Sequence, residues 1–359
     1  MARKRIIYQS LALYAGQNNP SGAHAATDIK QLTRVQSWDS DFSRSFQDVN
    51  QYGQLAARDR VEIDPPTVNM KTSWYPTDGS NEKYIGLSPY KGATANSLIS
   101  GILNKTSDER NFFLLVADEG NDAVGYVGAT SGVIGIGNAF LTNYSLDFSV
   151  GAIPTASADF EALNFRVYND ANVGADVPAI NPINGAPITG TTFNLPAAVQ
   201  DDSASQATVL RPGDVTLSLS GLGGFSVEDL KIQSCKLAMG LKRSPISKLG
   251  SRFPYTREVD FPLTATVSVE AIAGDLANFN LSDMLCETGF YDLRVNVQKN
   301  ACSGTGPLAL SIDFKGAKIS KESVTTSIGA NVPVSIEYEV TIGSAQQLTK
   351  GIFMSGSYA

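Results

Sequence analysis

Few residues in this 359-residue chain could carry out chemistry, and their types and spacing argue against it. His24 is the sole histidine, and Cys235, Cys286 and Cys302 lack the paired spacing of a zinc site. Nothing here supplies a His-based triad. The thiols read as small buried or surface groups of a reducing cytoplasm. A glycine run, Gly132-Val-Ile-Gly135-Ile-Gly137, invites a phosphate-cradling interpretation. It leads into another strand instead of a helix, and no Lys-Ser/Thr pair follows it. Asp118, Glu119 and Asp122 cluster without the spacing of a calcium loop, so a polar hairpin tip fits them better. Asn104, Asn143 and Asn280 open Asn-X-Ser/Thr triplets that chance supplies at this length. No catalytic residue, cofactor or metal is expected, and the chain does not read as an enzyme.

Charge is the more informative chemistry. The formal net charge is −7, unevenly spread. Between Asn111 and Asp202 stand ten acidic residues and one basic residue, Arg166; between Lys231 and Arg257 stand seven basic residues and no acidic one. Each block alone would make an ordinary solvated face. Their opposition within one chain suits a protein that meets copies of itself.

The elements that must carry these charges are strands. Hydrophobic residues make up 42% of the chain, with 32 Gly, 16 Pro and short apolar runs, which points to an all-β protein. Thr67–Trp74 alternates Val68, Met70, Thr72 and Trp74 against Asn69, Lys71 and Ser73, the period-two pattern of a half-buried strand. Tyr144–Val150, Tyr291–Val297, Leu308–Phe314 and Val334–Ile342 alternate likewise, and Asn111–Ala117 reads as a buried strand. One short helix is expected at about Ala95–Leu103, with Leu281–Cys286 in its place in the second half. The basic start, Arg3-Lys4-Arg5, precedes an apolar run broken by Gln9 and Ser10, so an amphipathic strand is expected there, not a signal peptide. No stretch approaches the roughly 20 apolar residues of a membrane span, so a soluble, non-exported chain is expected.

The long stretch from Gln36 to Trp74 occurs twice. At a constant offset of 197, Gln36, Ser37, Gly53, Arg60, Pro65 and Thr67 match Gln233, Ser234, Gly250, Arg257, Pro262 and Thr264. Composition alone would give about two such matches. Farther on, Ser145, Ser149, Gly151, Ser157 and Glu161 match Ser323, Ser327, Gly329, Ser335 and Glu339 at an offset of 178. Residues 170–206, with Pro178, Pro182, Pro187 and Pro196 and no alternation, read as a linker between copies. The expected architecture is all-β with one short helix per domain: two tandem β-sandwich or small-barrel domains at 1–169 and 207–359, joined by a Pro/Gly-rich linker at 170–206.

The segments QDVNQYGQLAARDRVEIDPPTV (47–68), DGSNEKYIGL (78–87) and GNAFLTNYSLDFSVGAIPTASADFEALN (137–164) resemble the tail tube proteins of long-tailed bacteriophages. The resemblance covers roughly residues 30–168, and the second half matches mainly through the first. It implies a structural virion protein, made in the host cytoplasm, that forms rings of six tube domains. The rings stack into the tail tube, and double-stranded DNA passes through it without specific binding. Other tail proteins are the remaining expected partners, and no membrane is.

With two tube domains per chain, a ring of three chains is expected in preference to six. The resemblance also implies that the long segments 38–63 and 235–261 reach toward the next ring. Arg44, Arg58, Arg60, Lys242, Arg243, Lys248, Arg252 and Arg257 would then face acidic residues of a neighbour. Asp159 and Glu161, aligned with Glu337 and Glu339, lie opposite the apolar set on their strands, facing either solvent or the channel. A repeated acidic lining would not hold phosphates. A competing reading is a capsid-decorating or host-surface-binding β-sandwich.

Overall fold

Alternation of small or apolar with polar side chains decides which face of each strand turns inward. In Thr155–Ala162, Ala156, Ala158, Phe160 and Ala162 are buried while Thr155, Ser157, Asp159 and Glu161 are part-exposed. Thr67–Trp74 and Pro333–Ile342 do the same with Val68, Met70 and Trp74, and with Val334, Ile336, Tyr338 and Val340. Each fully buried side chain of this size contributes about 1.5–3 kcal/mol, and polar alternates leave the other face wet.

The structure, a computed structural model, describes residues 6–7, 10–17, 28–91, 96–117, 121–123, 132–169, 173–198, 210, 213, 215–219, 231–272, 289–298, 307–325 and 331–356. The elements of the first half are β1 (Leu11–Gln17), β2 (Ile29–Gln31), β3 (Val35–Ser43), β4 (Phe46–Val49), β5 (Asp59–Glu62), β6 (Thr67–Trp74), α1 (Ser80–Tyr84), α2 (Ser100–Leu103), β7 (Glu109–Val116), β8 (Gly132–Ser149), β9 (Thr155–Ala162) and β10 (Asn164–Tyr168). Two short strands follow, β11 (Val173–Asp176) and β12 (Thr192–Asn194). The second half holds β13 (Val215–Leu219), β14 (Lys231–Gly240), β15 (Arg243–Ile246), β16 (Thr256–Val259), β17 (Leu263–Ile272), β18 (Tyr291–Gln298), β19 (Leu308–Val324), β20 (Pro333–Ile342) and β21 (Gly351–Gly356). The chain is all-β apart from α1 and α2 among the described residues.

Two long strands organise the sheet. The first part of β8 pairs with β7 on one edge and β10 on the other, and β7 leads on to β1 and β2. Its second part carries β9, then β6, then β3 on one edge, and β14 on the other. From β14 the series starts again: β17, β20 and the second part of β19, whose first part carries β18 and β13 on one edge and β21 on the other. Each long strand folds the sheet back on itself, and the buried side chains of the two halves join in one core. Phe112 of β7 meets Phe160 of β9 with ring centroids 4.6 Å apart, and Tyr291 of β18 meets Tyr338 of β20 at 6.4 Å.

Registers recur between the halves down to their irregularities. The break between Val35 and Ser37 on β3 returns between Ile232 and Ser234 on β14. The break between Leu141 and Asn143 returns between Ile319 and Lys321, and that between Arg110 and Phe112 between Tyr291 and Leu293. A left-handed backbone position repeats too: Asn138 (φ 55°) stands where Gly316 (φ 71°) stands in the second half. Bulges and left-handed residues are costly enough that their repetition at matched positions reflects a shared backbone plan.

Residues 173–198, expected as part of a linker, pack down as a cover. Val177, Ala179, Phe193 and Leu195 are buried against Tyr14, Phe113 and Tyr168, with Phe113 and Phe193 centroids 4.6 Å apart. The glycine run beneath it is explained by this cover. A Cβ on Gly135 would come within 2.9 Å of Pro178 Cβ, and one on Gly137 within 2.4 Å of the Pro178 carbonyl oxygen. Those glycines admit a crossing backbone, and the segment 132–137 is strand, not a phosphate loop. The expected helix at 95–103 shrinks to α2, and a second short helix, α1, follows Gly79. The segment 281–286, His24, Cys286, Cys302 and the 118–120 part of the acidic tip lie outside the described residues.

Candidate assembly interface

The polar alternates of β3, β6, β9, the second parts of β8 and β19, β14, β17 and β20 share one face, because every neighbouring pair is antiparallel and the alternates stand opposite one another on either side of the bulges. Hydroxyl side chains form its rows: Ser37, Ser73, Ser157 and Ser145 lie on consecutive strands, and Ser37 with Ser73 and Ser145 with Ser157 are hydrogen bonded at 2.5 and 2.7 Å. Charges sit between these rows, and carboxylates outnumber ammoniums. Asp39, Asp41, Asp147, Asp159, Glu161, Glu270, Glu337 and Glu339 share the face with Lys71, Lys236, Lys318 and Lys321.

This face is continuous across the halves because of one junction. Ser234 to Gly240 of β14 pair with Ser149 to Asn143 of β8, and bonds from Val150 N to Gln233 O (2.9 Å) and Leu241 N to Thr142 O (2.8 Å) extend the seam. On the polar face Lys236 Nζ lies 3.0 Å from Asp147 Oδ2. On the apolar face Leu237, Met239 and Leu146 are buried.

A hairpin arm reinforces the seam. β15 and β16 leave the sheet and lie on the first half, with Phe253 N and Arg252 N donating to Pro182 O (3.1 Å) and Ile183 O (3.2 Å). Arg243 is the arm's anchor, its side chain 1% exposed. It donates to Leu141 O (2.7 Å), Arg257 O (2.9 Å) and Asp108 Oδ1 (2.7 Å), with its guanidinium 5.3 Å from the Phe140 ring centroid. Asp108 also meets Lys105 Nζ at 3.2 Å, and Lys105 reaches Glu258 of the arm at 2.5 Å. Arg257 Nη1 pairs with Glu161 Oε1 at 2.5 Å. Beside the arm a cleft of about 690 Å³ is bounded by Asp108, Asn138, Phe140, Ile180 and Tyr255.

The first half has the same arm, β4 and β5, and among the described residues no other element packs on it: every residue of both strands is exposed. Its ion pairs are internal, Arg44 with Glu62 at 2.9 Å and Arg60 with Asp48 at 2.7 Å. Arg58 donates to Gln51. Phe42, Phe46, Val49, Tyr52, Leu55, Val61 and Ile63 are all exposed along this arm and its base.

Set against the expected sites, Arg243 and Arg257 need correction. Both guanidiniums are bound to acidic residues of the same chain's first half, so neither is available to a stacked ring. Lys242, Lys248 and Arg252 of the second arm are exposed, as are Arg44, Arg58 and Arg60 of the first. Asp159, Glu161, Glu337 and Glu339 do share the polar face, but their settings differ. Glu161 is held by Arg257, and Asp159 accepts from Asn143 (3.1 Å) near Lys71 (3.8 Å). Glu337 and Glu339 stand opposite Lys321 and Lys318. Lys105 and Asp108 were missed, since a turn carrying a few charges reads as solvated. Glu82 was missed for the same reason. It is 1% exposed, accepts from Trp74 Nε1 (3.1 Å) and Tyr144 Oη (3.2 Å), and burial raises its pKa.

Comparison with known proteins adds no family. No protein-family model matches the chain, and no curated protein matches it significantly. Among the described residues no group of three or more His, Cys, Asp or Glu is placed to hold a metal ion. Among the same residues no helix is long and apolar enough to cross a membrane.

Proposed function

We propose that the chain is a structural virion protein of a long-tailed bacteriophage whose two halves are two copies of one tube domain. Three chains close a ring of six such domains, and stacked rings form the tail tube through which DNA leaves. The observation that carries this reading is the junction of β14 on β8. It is a worked example, inside one chain, of how one half adds to the other.

Among the described residues, the recurring registers leave two edges without a partner strand: β3, which corresponds to β14, and the second part of β19, which corresponds to the second part of β8. Matched residues differ in the way an unmade junction requires. Met239 is 0% exposed on β14 whereas Phe42, its counterpart on β3, is 64% exposed; Leu146 is 1% exposed whereas Val324 on β19 is 50% exposed. Unpaired, partly apolar edges invite strand addition. Because the edges differ, addition is head-to-tail, and head-to-tail contacts give a ring where the rotation from copy to copy closes and an open filament where it does not.

The hydroxyl-rich, net acidic face would line such a ring. A wall of this kind offers phosphates few cations to hold, and its repulsion is screened within about 8 Å at physiological salt. Continuity of the two halves in one sheet favours a ring of three chains over a hexamer with peripheral second halves.

Mass measurement and negative-stain imaging of the purified chain test this. Rings of three chains, stacking into hollow tubes, are the expected result. A protein that stays a single chain at all concentrations, or rings of six chains with outlying second halves, would overturn it.

A further inference from the structure

We propose that the exposed first arm, β4–β5, docks on the second half of the neighbouring copy through Arg60 and Glu339, with Phe46 against Lys318. The placement of that neighbour rests on the ring reading above, whereas the contact itself is read from the chain's own second arm.

Among the contacts that fix β15–β16 to the first half, two have counterparts of the same chemistry elsewhere in the chain. Arg257 on β16 pairs with Glu161 on β9 at 2.5 Å, with 7% and 29% of the side chains exposed. Arg243 on β15 lies over Phe140 on β8 at 5.3 Å. Each of the four positions has a counterpart fixed by register. Phe46 opposes Glu62 as Arg243 opposes Val259, and Arg60 opposes Asp48 as Arg257 opposes Pro245. Phe140 opposes Glu161 as Lys318 opposes Glu339.

Carried across, Arg257–Glu161 becomes Arg60–Glu339, the same two residue types in the same sense. Arg243–Phe140 becomes Phe46–Lys318, a cation and an aromatic ring with their strands exchanged. Two interacting pairs thus keep their chemistry at positions that do not interact within one chain. In the free chain Arg60 leans on Asp48 in its own arm and is 66% exposed, and Glu339 is exposed on the polar face. A second copy of this chain is the partner whose surface carries the matching groups in the matching register. Opposite charges at an interface set register and suppress wrong partners, so this pair would keep the arm on the adjacent copy of the same ring.

The test uses the full-length chain as wild type, Arg60→Glu, Glu339→Arg and the double reversal, each assembled over a concentration series and sized by mass measurement. Circular dichroism melting shows whether each variant folds as the wild type does. Each single reversal should raise the concentration needed for rings by about tenfold or more, and the double should return within about threefold of wild type. Wild-type rings with unaffected single variants, or a double variant no better than the singles, would overturn the arm contact and leave the ring reading standing. A wild type that forms no rings would overturn the ring reading itself and the contact with it.

Discussion

Arg243 is buried in a segment whose seven basic residues between 231 and 257 suggest a solvated face. What buries it is a full set of acceptors: two carbonyls, one carboxylate and an aromatic ring. Breaking one side of such a pair costs about 3–5 kcal/mol because the other charge stays buried. Arg243→Ala should therefore lower the unfolding free energy by that order, whereas Arg58→Ala, at an exposed position, should move it by less than about 0.5 kcal/mol. Equilibrium unfolding of both variants checks the contrast. Glu82 gives a pH signature. Its folded-state pKa lies above the unfolded value, so its contribution to stability is complete below the unfolded pKa of about 4.3 and is lost as pH rises through the folded one. Glu82→Gln keeps an acceptor for Trp74 and Tyr144 without the charge. Its melting temperature should gain on wild type progressively from pH 4 to pH 8 in calorimetry, and a gap that narrows with rising pH would contradict the burial argument.

At the scale of elements, the alternation in β6, β9 and β20 was legible because one face is buried and the other wet, and period two leaves no ambiguity. The repeat was legible through Gly53 and Gly250, both at positive φ at the tips of their arms (89° and 83°), where other residues are strained. The seam between β14 and β8 was not legible. Its polar alternates, Ser145, Asp147, Ser234 and Lys236, are the same kinds of residue that cover an open strand, and pairing between distant strands leaves no local trace. The cover at 173–198 was hidden for a related reason, since Val177 with Ala179 and Phe193 with Leu195 alternate for only two positions each, too short a run to mark a strand. One position tests the seam against the free edge. Met239→Ala should destabilise the chain by about 2–5 kcal/mol. Phe42→Ala, its counterpart on β3, should leave the monomer within about 0.5 kcal/mol of wild type but weaken ring formation. Denaturation paired with mass measurement separates the two outcomes.

For the whole molecule, the polar face decides how an assembled tube would treat DNA. Glu161 is tied to Arg257, so the informative positions are Asp159 and Glu337, which hold no arm in place. In the proposed ring, Asp159→Lys with Glu337→Lys should assemble normally yet retain double-stranded DNA at low salt. Release should rise steeply with added salt as counterions compete for the phosphates. Filter binding on assembled tubes measures this, and equal retention by wild type would remove these residues from the bore. The continuous sheet also bears on how quickly a ring could form. In the proposed ring every folded chain would bring one junction already made, at an effective concentration no solution of separate domains could match. Closing six units from three bodies loses the translational and rotational freedom of two associations instead of five. A partly built ring of this kind would have one partner left to wait for after its first encounter, so incomplete arcs would stay scarce even where the protein is dilute.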